Sequence, residues 1–332
     1  LKKKSIKDIA QELGYSKTTV SFVLNNKGDE KNISKKTQEK ILAYVREVNY
    51  QPNQIAKSLK KGKTNTIGYL VPDISNPFYA KIGRLIEDLL ADKGYHLIIG
   101  STDETQEKED LLLNMFVNRQ VDGLILASSF ENLGMLNTLT SQRFPMVFFD
   151  REHPDFLGNY ILVENKKAMK NAVQKVIQQG AKKIGLLSIT PNVYSLKLRI
   201  DGYREALSDS NIHIEDRLIR IVDNNNLKES TKAQLQYLME EQVDAVVFTN
   251  NQITAQAIWA MNIFHKEKIE NVKFVSFDNL DLFDYSKPKV TSVAQPIEKI
   301  ANYTVDILEE VMNEKERISK RIVLEPKLIE RL

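Results

Sequence analysis

SIKDIAQELGYSKTTVSFVL (residues 5–24) reads as two short helices joined by a tight turn, and that reading organises the rest of the chain. Ser5 is placed to cap a first helix, with Asp8 three positions on as its capping-box partner. Ile6, Ile9, Ala10 and Leu13 recur at helical spacing and give that helix one apolar face. Gly14 supplies the turn, because a residue without Cβ accepts a positive φ. Ser16 caps a second helix in which Val20, Val23 and Leu24 turn inward while Lys17, Thr18 and Phe22 face out. A polar second helix braced by a short first one is helix-turn-helix anatomy, with the second helix as the reader of a DNA groove. A helical hairpin without that role is the alternative these residues alone leave open.

Charge favours the DNA reading. Residues 1–65 hold 15 Lys and Arg against 6 Asp and Glu, a net of +9, whereas the remainder holds 32 against 38, a net of −6. A small basic head on an acidic body is what attraction to a phosphate backbone requires of the head alone. After the second helix comes the turn-rich NNKGDEKN (25–32). A third helix follows from Ser34, with Ile41, Tyr44, Val45 and Val48 as its apolar stripe. Lys35, Lys36 and Lys40 are candidate phosphate contacts or plain solvated lysines. Residues 51–65, QPNQIAKSLKKGKTN, form a linker in which Pro52 opens a short helical segment and Gly62 begins a tether. Such a segment can order on DNA and wedge one apolar residue into the minor groove, with Leu59 as the candidate; a plain linker with one incidental leucine is the alternative these residues alone favour.

At 332 residues the chain is too long for one ordinary core. No apolar run reaches transmembrane length and no signal-peptide core follows the first residues, so a cytoplasmic protein with no membrane partner is expected. The absence of cysteine excludes disulfides and thiolate metal sites.

From Thr66 the pattern changes to alternating strands and helices. Strands are expected at 67–71, 95–100, 123–127, 145–149 and 160–163, then at 183–188, 217–222, 245–249, 272–277, 290–294 and 321–324, with helices between most of them. Continuous apolar runs point to sheets covered on both faces, hence two doubly wound α/β units. Polar residues gather at strand ends, among them Asp73, Asn76, Ser101, Asp103, Ser128, Ser129, Asp150, Arg151, Asn192, Asn250, Asn251, Asp278 and Asn279. Ligands of open α/β sheets bind at those ends, although some of these residues serve as helix caps.

IKDIAQELGYSKTTVSFVLN (6–25), YQPNQIAKSLKKGKTNTIGYLVPDISNPFY (50–79), VDGLIL, FFDR, RIDGY, TNN and SFDN follow one another in an order that resembles the LacI/GalR family of bacterial transcriptional regulators. The resemblance spans essentially the whole chain. It implies an all-helical, lambda-repressor-like helix-turn-helix head (1–50) and a hinge helix with linker (51–65). Behind them it implies a two-lobed, periplasmic-binding-protein-like doubly wound α/β core (66–332). The N-lobe would take about 66–162 and 294–322, and the C-lobe about 163–293 and 323–332.

By that resemblance the protein is a homodimer on a near-palindromic double-stranded operator, repressing a carbohydrate-utilisation operon under control of a small effector. The effector would be a sugar or, alternatively, a nucleobase, with a protein corepressor as a further option. Lys17, Thr18 and Phe22 match the base-reading positions, and Leu59 the minor-groove leucine. Ser5, Ser16, Thr19, Ser21, Asn25, Lys35 and Lys60 would lie along the DNA backbone. Phe22 stands where the family usually has arginine; an aromatic packs on a thymine methyl but makes no bidentate contact to guanine. In the core, Asp150, Arg199, Asn251 and Asp278 match effector-holding positions, with Phe78 and Phe149 as pocket walls and Trp259 as either pocket wall or core, its facing left ambiguous by helical spacing from Ala255 and Ile258. No glycine-rich phosphate loop, nucleophile elbow or metal-spaced histidine set is present, so neither an enzyme nor a cofactor is expected. A transport solute-binding protein is the remaining alternative, opposed by the basic head.

Overall fold

The computed structural model describes residues 4–50, 62–189, 193–269, 271–313 and 319–331. Leu59, Lys60 and Asn192 lie outside the described residues. The chain divides into two units, Leu1–Thr64 and Asn65–Leu332.

In the first unit Ser5 is extended, its Oγ accepts from the Asp8 N–H, and the Asp8 carboxylate accepts the Ser5 N–H at 2.8 Å. This reciprocal cap starts α1 (Ile6–Leu13). Gly14 ends it at φ 71°, and the Tyr15 N–H turns back to the Ala10 carbonyl at 2.9 Å. Ser16 Oγ accepts from the Thr19 N–H at 3.0 Å and starts α2 (Lys17–Leu24); Ser34 does the same for α3 (Lys35–Glu47). Ile9, Ala10, Val20, Val23 and Ile41 are the buried core. At about 1.5–3 kcal/mol for each large aliphatic side chain, so small a core leaves the head marginally stable.

The second unit begins with β1 (Thr66–Val71), α4 (Pro77–Asp92), β2 (His96–Ser101), α5 (Gln106–Asn118), β3 (Gly123–Leu126), α6 (Gly134–Ser141), β4 (Met146–Phe149) and β5 (Tyr160–Val163). It continues with α7 (Asn165–Gln178), β6 (Ile184–Ile189), α8 (Tyr194–Asp209), β7 (Ile219–Val222), α9 (Leu227–Glu240), β8 (Ala245–Phe248), α10 (Asn251–Phe264) and β9 (Lys273–Phe277). The last elements are β10 (Val290–Ala294), α11 (Ile297–Asn313), β11 (Arg321–Leu324) and β12 (Lys327–Ile329).

These strands form two six-stranded sheets, β11-β5-β4-β3-β1-β2 and β12-β10-β9-β8-β6-β7. Every pairing is parallel except that of β12 with β10. The chain therefore passes between the sheets three times, after β5, β10 and β11. Both sheets are buried on two faces: the first beneath α4 and α11 on one side and α5 and α6 on the other. This explains why β1, β3 and β4 read as unbroken apolar runs.

Two elements had no counterpart in the sequence reading. The sequence of α6, GMLNTLTS, starts on glycine, carries no charge and buries only Leu136 and Leu139, so its helical signal is faint. The other, β12, is three residues long and sits antiparallel at a sheet edge. In addition α8 begins at Tyr194, which brings Ser195 and Leu196 onto the helix.

Candidate functional site

The sheet order reverses between β1 and β3 in one sheet and between β6 and β8 in the other, and ligand crevices form beyond the strand ends at such switch points. A cavity of about 340 Å³ lies there, lined from both lobes. That volume is at the small end of the range for small-molecule pockets.

Two carboxylates dominate it. Asp150 follows β4 at φ 64° and Asp278 follows β9 at φ 69°; both take the left-handed backbone that Asp tolerates better than most residues. The Tyr79 hydroxyl donates to Asp150 Oδ2 at 2.7 Å, and the Tyr69 hydroxyl braces the Tyr79 carbonyl at 2.8 Å. Burial, with the Asp150 charge beside it, pushes the Tyr79 phenol well above its ordinary range, so it remains a donor. Asp278 accepts from Gln295 Nε2 at 2.5 Å and from the Asn251 backbone N–H at 3.4 Å. Burial raises its carboxyl above the usual 3.8, against the opposing pull of Arg199.

Arg199, on α8, lies between the lobes with its guanidinium carbon 3.7 Å from the centre of the Phe277 ring. Its Nε donates to Asn165 Oδ1 and one terminal nitrogen to the Thr249 carbonyl, both at 2.8 Å. The other terminal nitrogen faces Asp150 Oδ1 at 3.8 Å. Arg151, also in the wall, makes a two-pronged pair with Glu104 at 2.6 and 2.8 Å.

Of the residues expected to hold a ligand, the cavity wall includes Phe78, Asp150, Arg199 and Asp278. Three others stand elsewhere. Phe149 is fully buried, stacked on Tyr69 at 5.7 Å and edge-on to Tyr79 at 6.0 Å. Being the last residue of β4, it points into the core while Asp150 turns out; it supports Tyr79 from beneath. Trp259 packs outside the cleft, edge-on to Phe264 and under the Lys228 ammonium at 4.1 Å, because α10 turns that position away from the strand ends. Asn251 is 1% exposed and acts from behind the wall, donating Nδ2 to Asn76 Oδ1 at 2.9 Å.

Ser101, Ser128, Ser129 and Asn279 serve structure. Ser101 Oγ accepts from the Ile74 N–H, and Ser128 and Ser129 hold the buried Glu109. Asn279 takes the Arg331 guanidinium and the Ser292 hydroxyl. Tyr79, Glu104, Ser195, Asn224 and Gln295 were absent from the effector residues expected, yet all line the cavity. Gln295 follows β10 directly, so the strand-end rule that found Asp278 applied to it equally.

In the head, Lys17 and Thr18 are exposed on α2 and Phe22 is half-buried with Lys31 Nζ 5.5 Å from its ring centre. Ser5, Ser16 and Thr19 are engaged in the caps of α1 and α2. Asn25 Nδ2 donates to the Ser21 carbonyl at 2.7 Å, and Lys35 pairs with Asp29 at 2.8 Å.

Residues 5–53 match the model of bacterial regulatory proteins of the lacI family, and residues 173–332 match a periplasmic binding protein-like domain. The HTH-type transcriptional regulator RegA of Clostridium saccharobutylicum is 31% identical over 329 residues, covering 98% of each protein. The chain belongs to the LacI family. Another relative, the ribose operon repressor of Halalkalibacterium halodurans, is 29% identical over 98% of this chain and 96% of its own. The fold matches the lac repressor dimer solved with operator and the anti-inducer ONPF at a TM-score of 0.84 and 21% identity, across 99% of this chain and 98% of that one.

As a LacI-family member the protein is a DNA-binding transcriptional regulator and not an enzyme. Among the described residues no helix is long and apolar enough to cross a membrane, and no His, Asp and Glu group is arranged to hold a metal.

Proposed function

We propose that this LacI-family regulator represses a carbohydrate-utilisation operon in the bacterial cytoplasm, binding a near-palindromic operator as a homodimer and answering to a sugar in the interlobe cleft. Support for the sugar comes chiefly from one observation: Asp150 and Asp278 approach a cavity of about 340 Å³ from opposite lobes, with the Arg199 guanidinium between them. Hydroxyl-rich solutes need several fixed donors and acceptors, which carboxylates and a guanidinium supply. A relative named as a ribose operon repressor is consistent with this reading.

In the head, Lys17, Thr18 and Phe22 read bases. Ser5, Ser16, Thr19, Ser21, Asn25 and Lys35 lie against the backbone, where helix N-termini favour phosphate. Two heads at fixed separation require a symmetric site. Effector binding changes the lobe geometry, and DNA and effector affinities change reciprocally.

The test is a thermal-shift screen of sugars and nucleobases, followed by operator titration with each hit. One sugar raising the melting temperature and altering operator affinity supports the reading. A protein that prefers no symmetric duplex over random DNA overturns the DNA half, and hits confined to nucleobases overturn the sugar half.

A further inference from the structure

The ionised side chains of the cleft are mostly anionic. Asp73, Asp103, Glu104, Asp150 and Asp278 line it, against the two cations Arg151 and Arg199. Neither guanidinium offers the open fork that a phosphate or carboxylate takes up. Glu104 occupies both terminal nitrogens of Arg151, whose buried Nε, 3.9 Å from Asp150, is a single unpaired N–H and not a fork. Arg199 spends Nε and one terminal nitrogen on Asn165 and Thr249, and its remaining nitrogen faces Asp150.

A second observation is independent of charge. Gln295 is 9% exposed and donates Nε2 to Asp278, which fixes the amide's orientation. Its Oε1 then faces away from that carboxylate, buried and without a partner. A buried acceptor left unpaired is costly, so the Asp278–Gln295 pair gains nothing from a further acceptor placed beside it.

We infer that the effector is a non-anionic polyhydroxylated solute whose donor end, vicinal hydroxyls or an ammonium, meets the Asp278 carboxylate, and that sugar phosphates and sugar acids are rejected. The inference rests on the cleft being the effector site. The upward displacement of the Asp278 carboxyl by burial agrees with it: a further anion worsens the confinement of negative charge, and a donor or cation relieves it.

The test uses the full chain in thermal-shift and calorimetric titrations with matched probes. These are glucose, glucosamine and glucose 6-phosphate; galactose, galactosamine and galacturonate; ribose and ribose 5-phosphate. In any series that binds, the neutral or amino probe is expected to bind at least tenfold more tightly than its anionic counterpart. Glu104→Gln, which neutralises the partner of Arg151, is expected to narrow that gap at least threefold. An anionic probe binding more tightly than its neutral counterpart to the unaltered protein overturns the inference. No binding in any series overturns the sugar reading beneath it, a different result from anion preference. Should Glu104→Gln fail to fold, the unaltered protein's ranking still decides.

Discussion

Asn251 donates its side-chain amide to Asn76 Oδ1 at 2.9 Å, a buried bond between the lobes that joins residues 175 apart in sequence. Each partner also serves its own lobe: Asn76 Oδ1 caps α4 through the Phe78 N–H, and the Asn251 backbone N–H reaches Asp278. Gln252 to Asp73 at 3.2 Å and Lys81 to Asp281 at 3.1 Å cross the same boundary. Asn251→Ala should cost roughly 0.5–1.5 kcal/mol, the net worth of one hydrogen bond. Asn76→Ala should cost about 1 kcal/mol more, because a helix cap goes with it. A double-mutant cycle in urea should return a coupling above about 0.5 kcal/mol; additivity would mean that the crossing bond carries no stability.

Arg199 and Asp278 face the same cavity but should answer substitution in opposite ways. Arg199→Ala strands Asn165 Oδ1 and the Thr249 carbonyl and removes the cation beside two buried carboxylates. Losing one partner of such a group costs about 3–5 kcal/mol, so this variant tests stability before it tests effector binding.

Asp278→Asn is the cleaner probe. Burial raises the folded carboxyl above 3.8, so the folded state holds the proton more tightly than the unfolded chain does. The stability contributed by Asp278 is therefore full below the unfolded value and lost as pH rises through the folded one. An asparagine escapes that loss while still accepting from Gln295. The melting temperature of Asp278→Asn should exceed that of the unaltered protein at pH 7, and the gain should shrink toward pH 4. A gain that grows on acidification would reverse the sign of the argument. Effector affinity should fall in the same variant while operator affinity in the absence of effector is kept.

What the sequence showed and hid follows from how local each signal is. The caps of α1 and α2 depend on Ser5, Asp8 and Ser16 and on residues within four positions of them, so they were readable outright. Continuous apolar strands announced buried parallel sheets, and strand ends announced Asp150 and Asp278. Which side of a strand end faces the cleft is set by backbone twist and by the opposite lobe. Phe149 and Asp150 are adjacent, yet one is core and the other cavity wall. Trp259 was ambiguous for the same reason: α10 is apolar around much of its girth, and only the packing of α9 decides which face the ring takes.

Gly202, in the RIDGY stretch, shows a long-range constraint that the sequence carried without explaining. A Cβ there would lie 2.3 Å from the Lys166 carbonyl oxygen, backbone of the neighbouring α7. Alanine normally gains about 1 kcal/mol over glycine inside a helix. Here the clash is with backbone, so α7 and α8 must separate, and overpacking of this kind costs about 1–3 kcal/mol or more. Gly202→Ala should destabilise the core despite its better helix propensity, visible as a lower urea midpoint with unchanged slope. An unchanged or higher midpoint would show that the helices part freely.

The last prediction concerns Phe22 and Lys31. The Lys31 ammonium lies 5.5 Å from the Phe22 ring centre, within cation–π range, and comes from the loop between α2 and α3. An arginine at position 22 would carry positive charge and base recognition in one side chain; on the proposed reading a ring and a separate lysine divide them. Lys31→Ala should therefore weaken binding to every duplex by a similar factor and flatten the salt dependence by about one unit in log–log slope. Phe22→Ala should instead relax sequence preference at one position, with little change in salt slope, because apolar contact with a thymine methyl releases no counterion. Competition binding against an operator library at two fixed salt concentrations separates the two effects. Uniform loss across all sequences for Phe22→Ala would leave the ring a structural part of the head and return base reading to Lys17 and Thr18.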